Sequence, residues 1–243
     1  MRPRLSILVF SLTLIVFGLG TISAQAAPKR KARAAYNSAL KKAKSGDMSA
    51  AIDLFAKAVQ IDARYAMAWR DLGLALRYKN RYVEAAAAYE RAVANKKKDG
   101  KGWHKLGETY LDLSVPDRAV IALRNALKHV KKKKRGEVKR LLARALSRAG
   151  KYKDAIGHYK TLIAKSGSDK ALLIGLANAQ AKADKYAAAV KTLKKVIALN
   201  PREKKAHILM AQCYAQLDKK AKARTSYAAA CELGDRQSCL KSR

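Results

Sequence analysis

Alanine recurs at Ala51, Ala85, Ala119, Ala155, Ala189 and Ala223, at steps of 34, 34, 36, 34 and 34 residues. A period in the thirties belongs to a helix-turn-helix unit copied along a chain, each copy burying its apolar face only against its neighbours. A chain of this kind carries its function on a surface.

Each alanine heads a stripe. Four residues later stand Phe55, Tyr89, Leu123, Tyr159, Leu193 and Tyr227, and three further on Ala58, Ala92, Ala126, Leu162, Val196 and Ala230. Spacings of four and three place these positions on one face of the second helix of each unit. The first helix is marked by Trp69-x2-Leu72-Gly73-x2-Leu76 and by Trp103-x2-Leu106-Gly107-x2-Tyr110. Small residues at the glycine and alanine positions let the two helices approach closely.

On these residues the chain resembles the tetratricopeptide repeat (TPR) family. Trp103 to Tyr110 reproduces the family's first-helix signature without a departure. The fifth unit carries Leu173, Leu176 and Ala177 and ends on Asn200-Pro201, whereas the first has only Ala35, Ser38 and Ala39 in the matching places. The resemblance implies an all-α fold, a right-handed α-solenoid of about six tandem helix-turn-helix repeats. The units fall at residues 32–65, 66–99, 100–133, 136–169, 170–203 and 204–243, with Lys134 and Arg135 absorbing the two-residue slip.

Residues 1–26 read as a signal peptide. Arg2 and Arg4 precede an apolar run from Leu5 to Leu19, and Ala24-Gln25-Ala26 offers the small-x-small pattern of a cleavage site. The alternative is an uncleaved membrane anchor, because the run extends to Ile22 and approaches the roughly 20 residues of a spanning helix. A basic segment at 27–35, with Lys29, Arg30, Lys31 and Arg33, overlaps the first repeat and favours the cytoplasmic side. The expectation is cleavage after Ala26, a periplasmic or secreted protein, and no stable membrane insertion afterwards.

Lysine and arginine number 53 against 18 acidic residues, a net charge of +35. Such a field steers anionic partners toward the protein. The expected partner is therefore an acidic protein or peptide, with an anionic envelope polymer as the alternative. Nucleic acid ranks lower, because only Tyr36, Tyr78 and His104 stand where bases would stack and the charge is spread over turns such as Lys96-Lys97-Lys98.

In the family the first helices line a concave groove, faced by the second, fifth, ninth and twelfth or thirteenth residues of each unit. Carried across, this implies Arg33 and Tyr36, then Arg70, Leu74, Arg77 and Tyr78, then Lys101, His104, Glu108 and Asp112. It also implies Glu137, Arg140, Arg144 and Arg148, followed by Ile174, Asn178, Gln212 and Gln216. Arg140, Arg144 and Arg148 fall in one row at helical spacing. Their planar guanidinium forks suit carboxylates and phosphates, so the row is an expected anion-binding strip. The lysine and asparagine arrangement with which chaperone-binding members clamp a terminal carboxylate is absent, as Tyr36, Leu40 and Asp71 take those places.

The ending Cys231-Glu-Leu-Gly-Asp-Arg-Gln-Ser-Cys239 resembles the cysteine-paired repeats of the Sel1-like type, which implies a disulfide between Cys231 and Cys239. Cys213 reads as a small buried apolar residue. His104, His129, His158 and His207 lie in four different units without metal-ligand spacing, and no Cys-x-x-Cys, glycine-rich phosphate loop or serine elbow occurs. The chain is expected to be a non-enzyme with no catalytic residue, metal or cofactor.

Overall fold

The computed structural model describes residues 14–167 and 169–242, with side chains from Lys29 onward apart from Ser166. These residues form thirteen α-helices and one 3-10 turn, with no strand among them. Residues 1–13, which hold the charged start of the expected signal, lie outside the described residues. Helix α1 runs from Leu14 to Lys44, and no helix of the described residues is long and apolar enough to cross a membrane.

The chain divides into two compact units, Met1–Gly102 and Trp103–Arg243. The first contains α1, α2 (Met48–Ile61), α3 (Ala66–Tyr78), α4 (Tyr82–Asn95) and the start of α5 (Gly100–Asp112). In it α1 packs on α2, α2 on α3 and α3 on α4. The second continues with α6 (Pro116–His129), a 3-10 turn at Lys132–Lys134, α7 (Arg135–Arg148), α8 (Tyr152–Ser166), α9 (Lys170–Lys182) and α10 (Tyr186–Leu199). It ends with α11 (Lys204–Gln216), α12 (Lys220–Glu232) and α13 (Arg236–Ser242). From α6 onward each helix packs on the next. The lysine-rich 3-10 turn occupies the place where the period slips from 34 to 36 residues, and α7 begins at Arg135.

The recurrent alanines are the contact points of this packing. Ala51, Ala85, Ala119, Ala155 and Ala189 are fully buried, and Ala223 nearly so. Tyr89, Phe55, Leu123 and Leu193 from the same stripe fill the space between helices. Burying a side chain of that size contributes about 1.5–3 kcal/mol. Helix approach depends on the first-helix glycines. A Cβ at Gly107 would stand 2.5 Å from the Leu123 Cγ, and one at Gly73 3.0 Å from the Tyr89 ring.

Two local devices recur in register with the repeat. The turn inside each helix pair passes through one residue with positive φ: Gly46, Asn80, Ser114, Gly150, Asp184 and Asp218 in turn. The amide after it bonds back to the preceding helix in five of these turns, as in Arg81 N–H to the Leu76 carbonyl and Lys185 N–H to the Gln180 carbonyl, both 2.9 Å. This is the left-handed helix ending that glycine and the short polar residues tolerate best. Between pairs, the Trp69 indole N–H donates to the Ala63 carbonyl at 2.8 Å. His207, at the matching position of the last pair, donates from Nε2 to the Pro201 carbonyl at the same distance. The histidine thus ties down its loop as the tryptophan does.

At the C-terminal end Cys231 of α12 and Cys239 of α13 form a disulfide. Asp235 begins α13 by accepting the Ser238 amide at 2.9 Å. Cys213 is buried, and burial pushes its thiol above the ordinary value.

Candidate interaction surface

In the first unit the expected groove residues divide into a buried polar chain and an exposed apolar wall. Tyr36 is 6% exposed, its ring packed against those of Phe55 and Tyr65, and its hydroxyl donates to Asp71 at 2.7 Å. Burial, reinforced by the Asp71 carboxylate, holds the Tyr36 phenol well above the usual tyrosine value. The other Asp71 oxygen accepts from Arg70 Nε at 3.2 Å, and Arg70 Nη1 reaches Asp99 at 3.3 Å. Asp99 in turn accepts the Lys101 amide at 3.1 Å. Two expectations are corrected here: Tyr36 is not a groove-facing stacking residue, and Arg70 is committed to the fold. A phenol and a half-buried guanidinium need partners when removed from water, and neighbouring aspartates supply them.

The exposed side is apolar. Leu74 and Tyr78, one turn apart on α3, are 51% and 71% exposed. They line an open cleft of 560 Å³ with Leu40, Ala43, Met48, Phe55, Asp71, Ala75, Arg77 and Tyr82. Arg33 and Lys101 are also exposed in this unit. The sequence reading missed Met48 and Tyr82, each the first residue of a second helix. An apolar or aromatic residue at that register also begins α6, α8 and α10, as Pro116, Tyr152 and Tyr186. That recurrence was the available signal.

In the second unit Arg140, Arg144 and Arg148 share one face of α7, as their spacing requires, and all three are exposed. Two of the three are engaged. Arg140 pairs with Asp169 at 2.8 Å, and Arg148 donates to the Leu111 carbonyl at 2.9 Å. Arg144 forms no hydrogen bond or ion pair with another described residue, although its charge is felt at Tyr159. The expected strip therefore holds one uncommitted guanidinium. Asn178 and Gln212 do come together, in a cleft of 230 Å³ lined also by Ile174, Leu193, Lys205, Ala206, Ile208 and Leu209. The Asn178 amide donates one N–H to the Ile174 carbonyl at 3.0 Å, which leaves its second N–H and its oxygen for a ligand.

His104 requires a further correction. Expected on the groove surface, it is 6% exposed. Its Nε2 lies 3.5 Å from a Glu108 oxygen and 3.7 Å from a Glu137 oxygen. Burial holds the imidazole below its ordinary pKa against the pull of the two carboxylates. Glu137 belongs to the next repeat, so the grouping is invisible to a search for ligand spacing within one helix.

Two family models match the chain. Tetratricopeptide repeat covers residues 36–100 and 104–171, and anaphase-promoting complex, cyclosome, subunit 3 covers residues 150–230. The chain belongs to the tetratricopeptide repeat family. No curated protein matches it in sequence. Among solved structures it is similar to YrrB, described as a TPR protein with an unusual peptide-binding site, at 18% identity and a TM-score of 0.63. That match covers 76% of this chain and 95% of YrrB. MamA from Desulfovibrio magneticus RS-1 matches at 18% identity and a TM-score of 0.63, covering 69% of this chain and 94% of that one. A tetratricopeptide repeat protein from Parabacteroides merdae matches at 16% identity and 0.53, covering 86% and 81%. At these identities the likeness is one of fold.

Proposed function

We propose that this protein is a non-catalytic interaction scaffold whose first unit receives a peptide segment of a partner protein, apolar in the middle and acidic at its flanks. The observation that carries this reading is the 560 Å³ cleft walled by the exposed Leu74 and Tyr78. Contiguous exposed apolar side chains beside polar ones mark binding surfaces, and tyrosine is a frequent anchor. Arg77 in the lining, and the net charge of +35, favour acidic flanks by raising encounter rate and excluding basic partners. The peptide-binding site described for YrrB is a consistent precedent on the same fold.

Selection from a random peptide library on the whole protein tests this reading. The expected binders carry aromatic or aliphatic residues near acidic ones and lose little affinity as salt is raised. Binders that are merely polyanionic, with affinity falling steeply in salt through counterion release, would replace the proposal with a polyanion-binding role.

Export is part of the proposal and rests on the first 26 residues alone. An N-terminus at Ala27 in the periplasmic or secreted fraction is the expected result. An intact Met1 in the cytoplasmic or membrane fraction would contradict it.

A further inference from the structure

We infer that His104, Glu108 and Glu137 form a binding site for a divalent transition-metal cation of the zinc type. The three side chains come from two helices. His104 and Glu108 are four residues apart on α5, and Glu137 lies in the first turn of α7. One donor atom from each lies within 4.8 Å of the other two. The two imidazole-to-carboxylate separations of 3.5 and 3.7 Å approach the edge of about 3.4 Å expected of a tetrahedral site with bonds of about 2.1 Å.

A pair of glutamates is common on a protein surface, and the distinguishing feature is the histidine. Its side chain is 8% exposed, and its Nε2 has no hydrogen-bond partner. A buried ring nitrogen aimed at two carboxylates without bonding either is costly as it stands, and a cation between them would satisfy that nitrogen. Each glutamate is oriented by an ion pair on its other oxygen. Glu108 Oε2 pairs with Lys105 and Glu137 Oε2 with Lys134, both at 2.8 Å, and Oε1 of each is the oxygen that lies nearest the ring. Such outer partners fix ligand orientation in metal sites. One imidazole with two carboxylates suits zinc and its neighbours better than magnesium or calcium, which take oxygen alone. Three protein ligands leave a fourth position for water or for a carboxylate of a bound partner.

Calorimetric titration of the full chain with Zn²⁺ tests the site. The expected result is one saturable site in the wild type, weaker by about tenfold or more in Glu137→Gln and in Glu108→Gln, with Mg²⁺ unable to compete. Glu137 is substantially exposed, so its substitution leaves the fold intact, and circular dichroism of each variant verifies this. In the histidine proton spectrum, one of the four imidazoles should shift on addition of Zn²⁺, and that signal should be missing from His104→Gln. Equal Zn²⁺ binding by wild type and Glu137→Gln, no saturable binding, or a shift confined to other histidines would each overturn the assignment.

Discussion

Arg140 Nη1 lies 2.8 Å from Asp169 Oδ2, and Arg70 Nη1 lies 3.3 Å from Asp99 Oδ2 in the same register of an earlier repeat. In both pairs the arginine is the fifth residue of a repeat and the aspartate the last. The aspartate also starts the next helix: Asp169 accepts the Ala171 and Leu172 amides at 2.8 and 3.3 Å. The guanidinium thus braces a helix cap. Losing a capping aspartate costs about 1 kcal/mol, whereas an exposed ion pair contributes less. Asp169→Ala is therefore expected to lower stability by about 1 kcal/mol and Arg140→Ala by less, measured by urea denaturation.

The same cap sets a pH dependence. Burial pushes the Asp169 carboxyl up, but the amide bonds and Arg140 outweigh it, and the folded value lies below the ordinary one. A depressed carboxylate stabilises the fold fully above its unfolded value, about 3.9, and loses that contribution as pH falls through the folded value. Asp169→Asn should therefore lose less stability than the wild type between pH 5 and pH 2, compared by thermal melts on this scale.

Tyr36 separates folding from binding. Its hydroxyl serves Asp71 within the buried chain, so Tyr36→Phe should cost about 1 kcal/mol and leave peptide affinity unchanged. A loss of affinity without a loss of stability would return Tyr36 to the groove.

Gly107 and Gly157 respond oppositely to alanine. A methyl at Gly107 meets Leu123 at 2.5 Å, whereas at Gly157 in α8 it meets nothing within 4 Å. Gly107→Ala should destabilise by about 1–3 kcal/mol through overpacking. Gly157→Ala should stabilise by up to about 1 kcal/mol through helix propensity. Denaturation midpoints of the two variants check both signs.

The repeat was legible because one packing requirement, a small residue wherever two helices cross, is imposed again in every unit. The positive-φ turn was equally readable in principle, since Gly46, Asn80, Gly150, Asp184 and Asp218 are residue types that favour it. Ser114 is the one of the six that hides it. Register picked out the family's groove positions but not which of them are exposed. Tyr36, Arg70 and His104 occupy family groove positions yet turn to Asp71, Asp99 and Glu137, and those partners lie 29 to 35 residues away in sequence. Only packing between repeats brings them together.

Peptide binding at the Leu74 and Tyr78 wall is read from the affinity of one library-selected peptide for wild type and for Leu74→Ser/Tyr78→Ser, with melting curves of both. Both side chains are more than half exposed, so the melts should nearly coincide. Affinity should fall by about tenfold or more, the loss of an interface anchor. Equal affinity with coincident melts would rule out this wall and move the binding site elsewhere on the chain.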